Sequence, residues 1–309
     1  MNHIEFIQEI KQFIQAINFE RNISTHTSRA YESDLEHFAT FWKDLLTREP
    51  IPLLCKTIIE RYFIWLYHKK ISKNSIARKI SCFKSFQRYL KHARGIELEI
   101  SLHRPRIETK APVVLTLDEI FFVLDKVNLT HHDTQFPFRD KAILEMLYAT
   151  GICCSELVNI QLKDIDPISQ TIRIVGKRKK ERLVRFGSEC KKKLDLYITH
   201  ERIKPANEFE FLFLNYKNEP LTTRSIQRIC TLFSSFLDSK KHITPHVLRN
   251  SCASHLLQQG VDIKTVQEQL GHATLASTEK YAYSFAENIP KTGRMRHHPL
   301  AEKKAKPGF

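Results

Sequence analysis

The chain has no run of apolar residues long enough to cross a bilayer, which excludes a spanning helix. Its first residues, MNHIEFIQEIKQF, are charged and amphipathic and lack the apolar stretch of a secretory signal. A soluble protein of the cytoplasm is expected. Cysteines number 7, at Cys55, Cys82, Cys153, Cys154, Cys190, Cys230 and Cys252. They are odd in number and scattered, and none form a CxxC pair, so neither a disulfide frame nor a thiolate zinc site is indicated. The pairs His131-His132 and His297-His298 have no cysteine or carboxylate at ligand spacing and read as loop or tail. No P-loop and no carboxylate cluster are present. Internal repeats are missing, and the one biased segment is a basic tail after Lys291.

What the chain has in excess is positive charge. Lys plus Arg total 49 against 34 Asp plus Glu, a net charge of +15. Such a balance favours a polyanionic partner, with nucleic acid first and an anionic membrane surface second. At 309 residues there is room for two domains. Residues 1–95 read as helical throughout. Apolar side chains recur at helical spacing over 3–18, 24–46, 57–68 and 72–93, and Gly95 ends the last segment. The polar side of 72–93 carries Lys73, Arg78, Lys79, Lys84, Arg88 and Lys91. This is either a solvated face or one laid along DNA phosphates, and the second reading fits the rest of the chain better. Arg29 and the hydroxyls of 24–28, at the start of the second helix, could contact phosphate similarly.

Residues 96–112 lack periodicity, contain Pro105 and Pro112, and mark a linker. A second domain is expected over 113–290, with a basic C-terminal tail over 291–309. Thr116 and Glu119 have the spacing of a capping box for a helix through Lys126. A further helix over 138–149 is stopped by Gly151, and Ser155 can cap the turn that follows. The period then changes to two: 171–175 and 182–186 read as strands joined by the basic turn GKRKKE. Helices resume near 188–199 and 222–237. The fold class is therefore mainly α with a small β-hairpin or sheet (α+β).

The densest chemistry lies between Thr244 and Tyr283. Thr244 can cap a helix that has Pro245 at its first position, which puts His246 and Arg249 on one face. Gly260 suits a left-handed stop, Asp262 a second cap and Gly271 a second stop, so His272 falls just beyond a helix end. Tyr281 follows nine residues later. A guanidinium can grip a phosphate with two hydrogen bonds, an imidazole can move a proton near neutral pH, and a phenol can be a covalent nucleophile.

The order HxxR, LGH, Tyr resembles the C-terminal signature of the tyrosine recombinase (phage integrase) family, most closely its Xer-like bacterial branch. The basic hairpin, GKxxKER, resembles that family's β-hairpin motif, and LYATGICCSEL resembles its LYATGLRxSEL motif. The resemblance implies an N-terminal SAM-like helical bundle followed by a catalytic domain, the two clasping duplex DNA. It implies that Tyr281 forms a 3′-phosphotyrosyl bond that stores the phosphodiester energy, so that no cofactor, neither metal nor nucleotide, is needed. Arg249, His246 and His272 would hold the phosphate or move protons, and Lys177 would protonate the leaving 5′ oxygen. Lys179, Lys180 and Arg182 would hold flanking phosphates. Double-stranded DNA is the implied partner, with a homo- or hetero-tetramer on two DNA sites and a nucleoid-associated location.

One position departs from the pattern. Cys153 stands where the family places its first catalytic arginine. A thiol cannot make the permanently charged, two-pronged contact with a phosphate oxygen. The resemblance thus implies either attenuated cleavage, a nearby cation such as Arg139 or Arg173 standing in, or a DNA-binding relative that works beside an intact subunit.

Overall fold

The helices expected before residue 95 form, and their ends follow local capping chemistry. The structure is a computed structural model and describes all residues except 21, 22, 24, 50, 99, 101, 108–110, 131–132, 177–179, 204–209, 238–240 and 283–309. It divides into two units, Met1–Thr109 and Lys110–Phe309.

The first unit holds α1 (His3–Glu20), α2 (Thr25–Leu46), α3 (Lys56–His68) and α4 (Lys73–Arg94). The Ser72 hydroxyl accepts from the Ser75 N–H at the start of α4, and Gly95 closes it with φ 66°. The core is aromatic: Phe6, Phe13, Phe38, Trp42, Tyr62, Phe83 and Phe86 are all buried. Phe38 meets Phe83 edge to face at 5.1 Å and 89°, a geometry that adds about 1 kcal/mol to the burial itself.

Two expectations about the basic face of α4 are corrected. Lys79 does not face outward. It is buried and donates to Asp34 Oδ1 at 2.8 Å, while Arg78 donates to Asp34 Oδ2 at 2.6 Å and to the Ala30 carbonyl at 3.0 Å. At 3.6 residues per turn, Lys73, Lys84, Arg88 and Lys91 share one stripe of the helix, and Arg78 and Lys79 fall on its two flanks. Lys73, Lys84 and Arg88 are exposed there, as is Arg29 on α2. Ser28, counted among the phosphate-facing hydroxyls, is also buried.

The buried carboxylate makes α2 and α4 interdependent. Removing it strands the Lys79 ammonium in a site that water barely reaches, so Asp34→Ala is expected to cost about 3 kcal/mol. The check is urea unfolding of the single variant beside Asp34→Leu/Lys79→Met. If the double variant is not the more stable of the two, the stranded charge is not the cause.

In the second unit, Thr116 and Glu119 form the expected capping box on α5 (Leu117–Phe121), which continues into a π-helical turn, Phe122–Lys126. Then come α6 (Pro137–Thr150), α7 (Cys154–Leu157), β1 (Ile165–Asp166), β2 (Thr171–Val175), β3 (Glu181–Arg185), α8 (Ser188–His200), α9 (Thr223–Ser234), α10 (Pro245–Gln258), α11 (Ile263–Leu270) and α12 (Ala276–Ala282). The three strands form one antiparallel sheet in the order β1-β2-β3, with Val175 opposite Glu181 across the hairpin. The chain is mainly helical with one small sheet, as its periodicity indicates.

Helices α6 and α10 are buried nearly all round, so they form the centre of this unit. Some of their inward polar groups are matched, while Asn250 Oδ1, Ser254 Oγ and His255 Nε2 of α10 have no hydrogen-bond partner among the described residues. Glu145 of α6 receives Lys193 Nζ at 2.6 Å, and Tyr148 shares a 3.0 Å hydrogen bond with His255 of α10. Gly151 ends α6 at φ 65°, and a Cβ there would lie 2.7 Å from Leu270 Cδ2. The stop also serves as the contact that brings the α11 end against the α6 end.

Candidate active site

Arg249 holds the cleft together. It sits one turn into α10, which is capped by the Thr244 hydroxyl accepting from the Val247 N–H at 3.1 Å. Its Nη1 donates to the Gly151 carbonyl and its Nη2 to the Leu270 carbonyl, both at 2.7 Å. These carbonyls end α6 and α11, so one buried guanidinium from the first turns of α10 joins two helix C-termini at their partially negative poles. Glu156 Oε2 lies 4.0 Å away.

His246 lies one turn before Arg249 and is exposed. Partial desolvation and the Lys280 and Arg249 cations lower its pKa. His272 follows Gly271, which ends α11 at φ 70°. Its Nδ1 shares a 2.9 Å hydrogen bond with the Thr278 hydroxyl of α12. Burial, followed by the charges of Arg249, Lys280, Arg182 and His246, pushes the His272 pKa down to about 4. The imidazole is therefore neutral at pH 7, able to accept a proton on one nitrogen and donate from the other.

Tyr281 stacks on His272 with ring centroids 6.0 Å apart and planes 19° from parallel. It is fully buried, and its hydroxyl has no hydrogen-bond partner among the described residues. Burial raises its pKa and the Arg249 guanidinium opposes the rise. Lys280 Nζ lies over the same ring, 4.9 Å from its centroid.

The loop 151–156 forms the other wall. Cys153, rather than the expected Ser155, caps α7. Its N–H donates to Glu156 Oε2 at 2.8 Å, because Glu156 stands at the third helical position, where a carboxylate can reach back. Cys153 is half-buried, with Sγ 3.2 Å from the Ser155 hydroxyl.

Arg182 is a further correction among the expected phosphate contacts. It does not project from the hairpin. Nη1 and Nη2 grip the two oxygens of Glu156 at 2.7 and 3.0 Å, and Nε donates to the Gln269 carbonyl at 3.1 Å. Glu156 is half-buried, which would raise its pKa, but the Arg182 hydrogen bonds and the Cys153 N–H outweigh this and lower it. Gly271 makes room for the arrangement: a Cβ there would come within 2.9 Å of the guanidinium. Arg182 thus pins β3 to the ends of α7 and α11.

The two cations considered as substitutes at position 153 are committed elsewhere. Arg139 pairs with Asp140, donates to the Leu214 carbonyl and stacks on Phe136. Arg173 pairs with Asp164 and Glu181. Lys180 is exposed at the hairpin, while Lys177 and Lys179 lie outside the described residues. Four expected site residues therefore meet in one cleft: His246, Arg249, His272 and Tyr281. Sequence reasoning missed Glu156, Thr278 and Lys280. Only Glu156 carried a signal, its capping spacing from Cys153.

Comparison with known proteins gives consistent matches. Residues 115–288 match the Phage integrase family, and residues 10–94 match the Phage integrase, N-terminal SAM-like domain. Tyrosine recombinase XerC of Syntrophus aciditrophicus (strain SB) is 36% identical over 293 residues, covering 88% of this chain and 91% of that protein. Tyrosine recombinase XerC of Staphylococcus aureus (strain JH9) is 35% identical over 309 residues, covering 98% and 99%. Among solved structures, XerH site-specific recombinase bound to difH substrate superposes with a TM-score of 0.71 at 20% identity, over 90% of this chain and 85% of that one. A lambda integrase tetramer bound to a Holliday junction superposes with a TM-score of 0.68 at 15% identity, over 93% and 79%. These two likenesses concern the fold.

Proposed function

Because the chain belongs to the phage integrase (tyrosine recombinase) family, we propose that it cleaves and rejoins duplex DNA at a specific site through Tyr281. The observation that carries this reading is the convergence of Arg249, His246 and His272 on the stacked Tyr281 ring. The Tyr281 oxygen attacks the scissile phosphorus, a 3′-phosphotyrosyl bond forms, and the 5′-oxygen bond breaks. The freed 5′-hydroxyl then attacks the phosphotyrosine of a partner strand. Because the ester bond energy is kept in the covalent link, strand transfer needs no nucleotide.

Each residue has a part that its chemistry supports. Arg249 directs its remaining N–H groups at a non-bridging oxygen. His246, exposed and shifted toward its neutral form, takes the tyrosine proton. Neutral His272 donates a hydrogen bond to a phosphate oxygen while Thr278 fixes its ring. Lys177 gives a proton to the leaving 5′ oxygen, and Lys180 with Lys179 lies against flanking phosphates. Lys73, Lys84, Arg88 and Arg29 lie along the backbone of the duplex. The Tyr281 hydroxyl is buried in this state, so α12 has to shift before attack. A tetramer on two sites is the assembly that strand exchange requires, and the lambda integrase neighbour is named as a tetramer on a Holliday junction.

Cys153 supports a second reading, in which the chain binds DNA as an accessory subunit and does not cut unaided. Both readings predict that log affinity for DNA falls by about 0.9 per phosphate contact per decade of salt. They separate at the covalent step. The protein is incubated with a pool of nicked duplexes of randomised sequence, and adducts are recovered on a denaturing gel and sequenced. An adduct whose digest carries the nucleotide on Tyr281 is the expected result. No adduct from the natural chain, with a strong one from Cys153→Arg, would move the conclusion to the accessory role.

A further inference from the structure

Without a guanidinium at position 153, the cleft has to meet the charge of a pentacoordinate phosphate with what remains. Arg139, Arg173 and Arg182 are tied to carboxylates, as described above. Lys280 is different. It is exposed, and no carboxylate lies within ion-pair distance of it among the described residues. Its ammonium lies over the Tyr281 ring at 4.9 Å. It also acts electrostatically on both His246 and His272, so it faces the same cleft from the nucleophile's side.

Its place in the chain adds to this. Lys280 directly precedes Tyr281 on α12, a helix held to His272 through Thr278. Any shift that presents the tyrosine hydroxyl carries the ammonium with it. The contact with the ring is worth about 1 kcal/mol at an exposed site and is readily exchanged for a phosphate oxygen, with which a lysine makes a charge-assisted hydrogen bond.

We propose that Lys280 is a further catalytic residue, contacting a non-bridging oxygen of the scissile phosphate and supplying part of the positive charge that Cys153 does not. This rests on the strand-transfer reading. A lysine replaces the charge but not the two-pronged geometry of an arginine, so the compensation is partial.

The test is a four-way comparison of adduct formation on the duplex recovered in the capture experiment: the natural chain, Lys280→Ala, Cys153→Arg, and Cys153→Arg/Lys280→Ala. Lys280→Ala is expected to slow the natural chain about 10²-fold, the scale of losing one preorganised donor. In the Cys153→Arg background the same change is expected to cost only a few-fold. A scissile methylphosphonate, which is uncharged, is expected to shrink the loss further, whereas a purely structural defect would be insensitive to it. Lys280→Arg retains most of the rate. An equal slowing in both backgrounds, or none, overturns the proposal. If neither the natural chain nor Cys153→Arg forms an adduct, the strand-transfer reading fails with it. If only Cys153→Arg does, Lys280 provides no compensation and the accessory reading stands.

Discussion

Cys153→Arg is expected to raise the single-turnover rate of covalent adduct formation by about 10²- to 10³-fold, the scale of one preorganised donor aimed at developing charge. The surroundings are ready for it. The position 153 N–H is held by Glu156, and that contact does not depend on the side chain. Glu156 is itself fixed by Arg182, so the loop that would carry the new guanidinium is rigid. The position is half-buried, open enough for an arginine to reach the cleft and closed enough for its charge to count. DNA affinity should change far less than the rate, because one added cation neutralises at most one more phosphate. The rate is read by quenching the recovered duplex into denaturant at intervals, and affinity by a salt titration. An unchanged rate would mean that the cleft is already complete without a side-chain cation at 153.

How far the sequence reveals this site depends on how local the determinant is. Thr244, Pro245, Gly151 and Gly271 act within one helical turn of themselves, and each ends or begins the helix its residue type indicates. The order of His246, Arg249, His272 and Tyr281 is likewise readable, because short capped helices leave few ways to arrange them. Arg182 and Lys79 were not readable in this way. Their partners, Glu156 and Asp34, lie 26 and 45 residues away in sequence, and nothing local distinguishes a lysine that will be buried from one that will face water. Helical phase did hold a partial clue, since Lys79 falls off the stripe shared by Lys73, Lys84 and Arg88. Cys153 was missed as a cap because thiols are outside the usual set of cap residues, although Glu156 stood at the required spacing.

Acid should destabilise the second unit well before its carboxylates titrate. His255 is fully buried on α10, and burial pushes its pKa down to about 4. Its unfolded value is about 6.5. Above pH 6.5 both states are neutral and nothing is lost. Below it the unfolded chain takes up a proton that the folded chain refuses, so stability falls with pH between about 6.5 and 4. A shift of this size corresponds to about 3 kcal/mol once the window is crossed. His272 has the same direction and window and adds a smaller share, because its site is partly open to water. Urea unfolding of the natural chain and of His255→Gln from pH 7 to pH 4 measures this. The natural chain should lose about 3 kcal/mol more than the variant, and parallel curves would remove His255 as the cause. Duplex DNA separates the two histidines. A phosphate seated between Arg249 and Lys280 would offset the positive charges that add to burial in depressing His272 and so raise its affinity for a proton, whereas His255 bonds Tyr148 inside the core and faces no phosphate. Bound DNA at pH 5 should therefore shrink the part of the His272 share that comes from these charges, and leave the part due to burial and the whole His255 share in place.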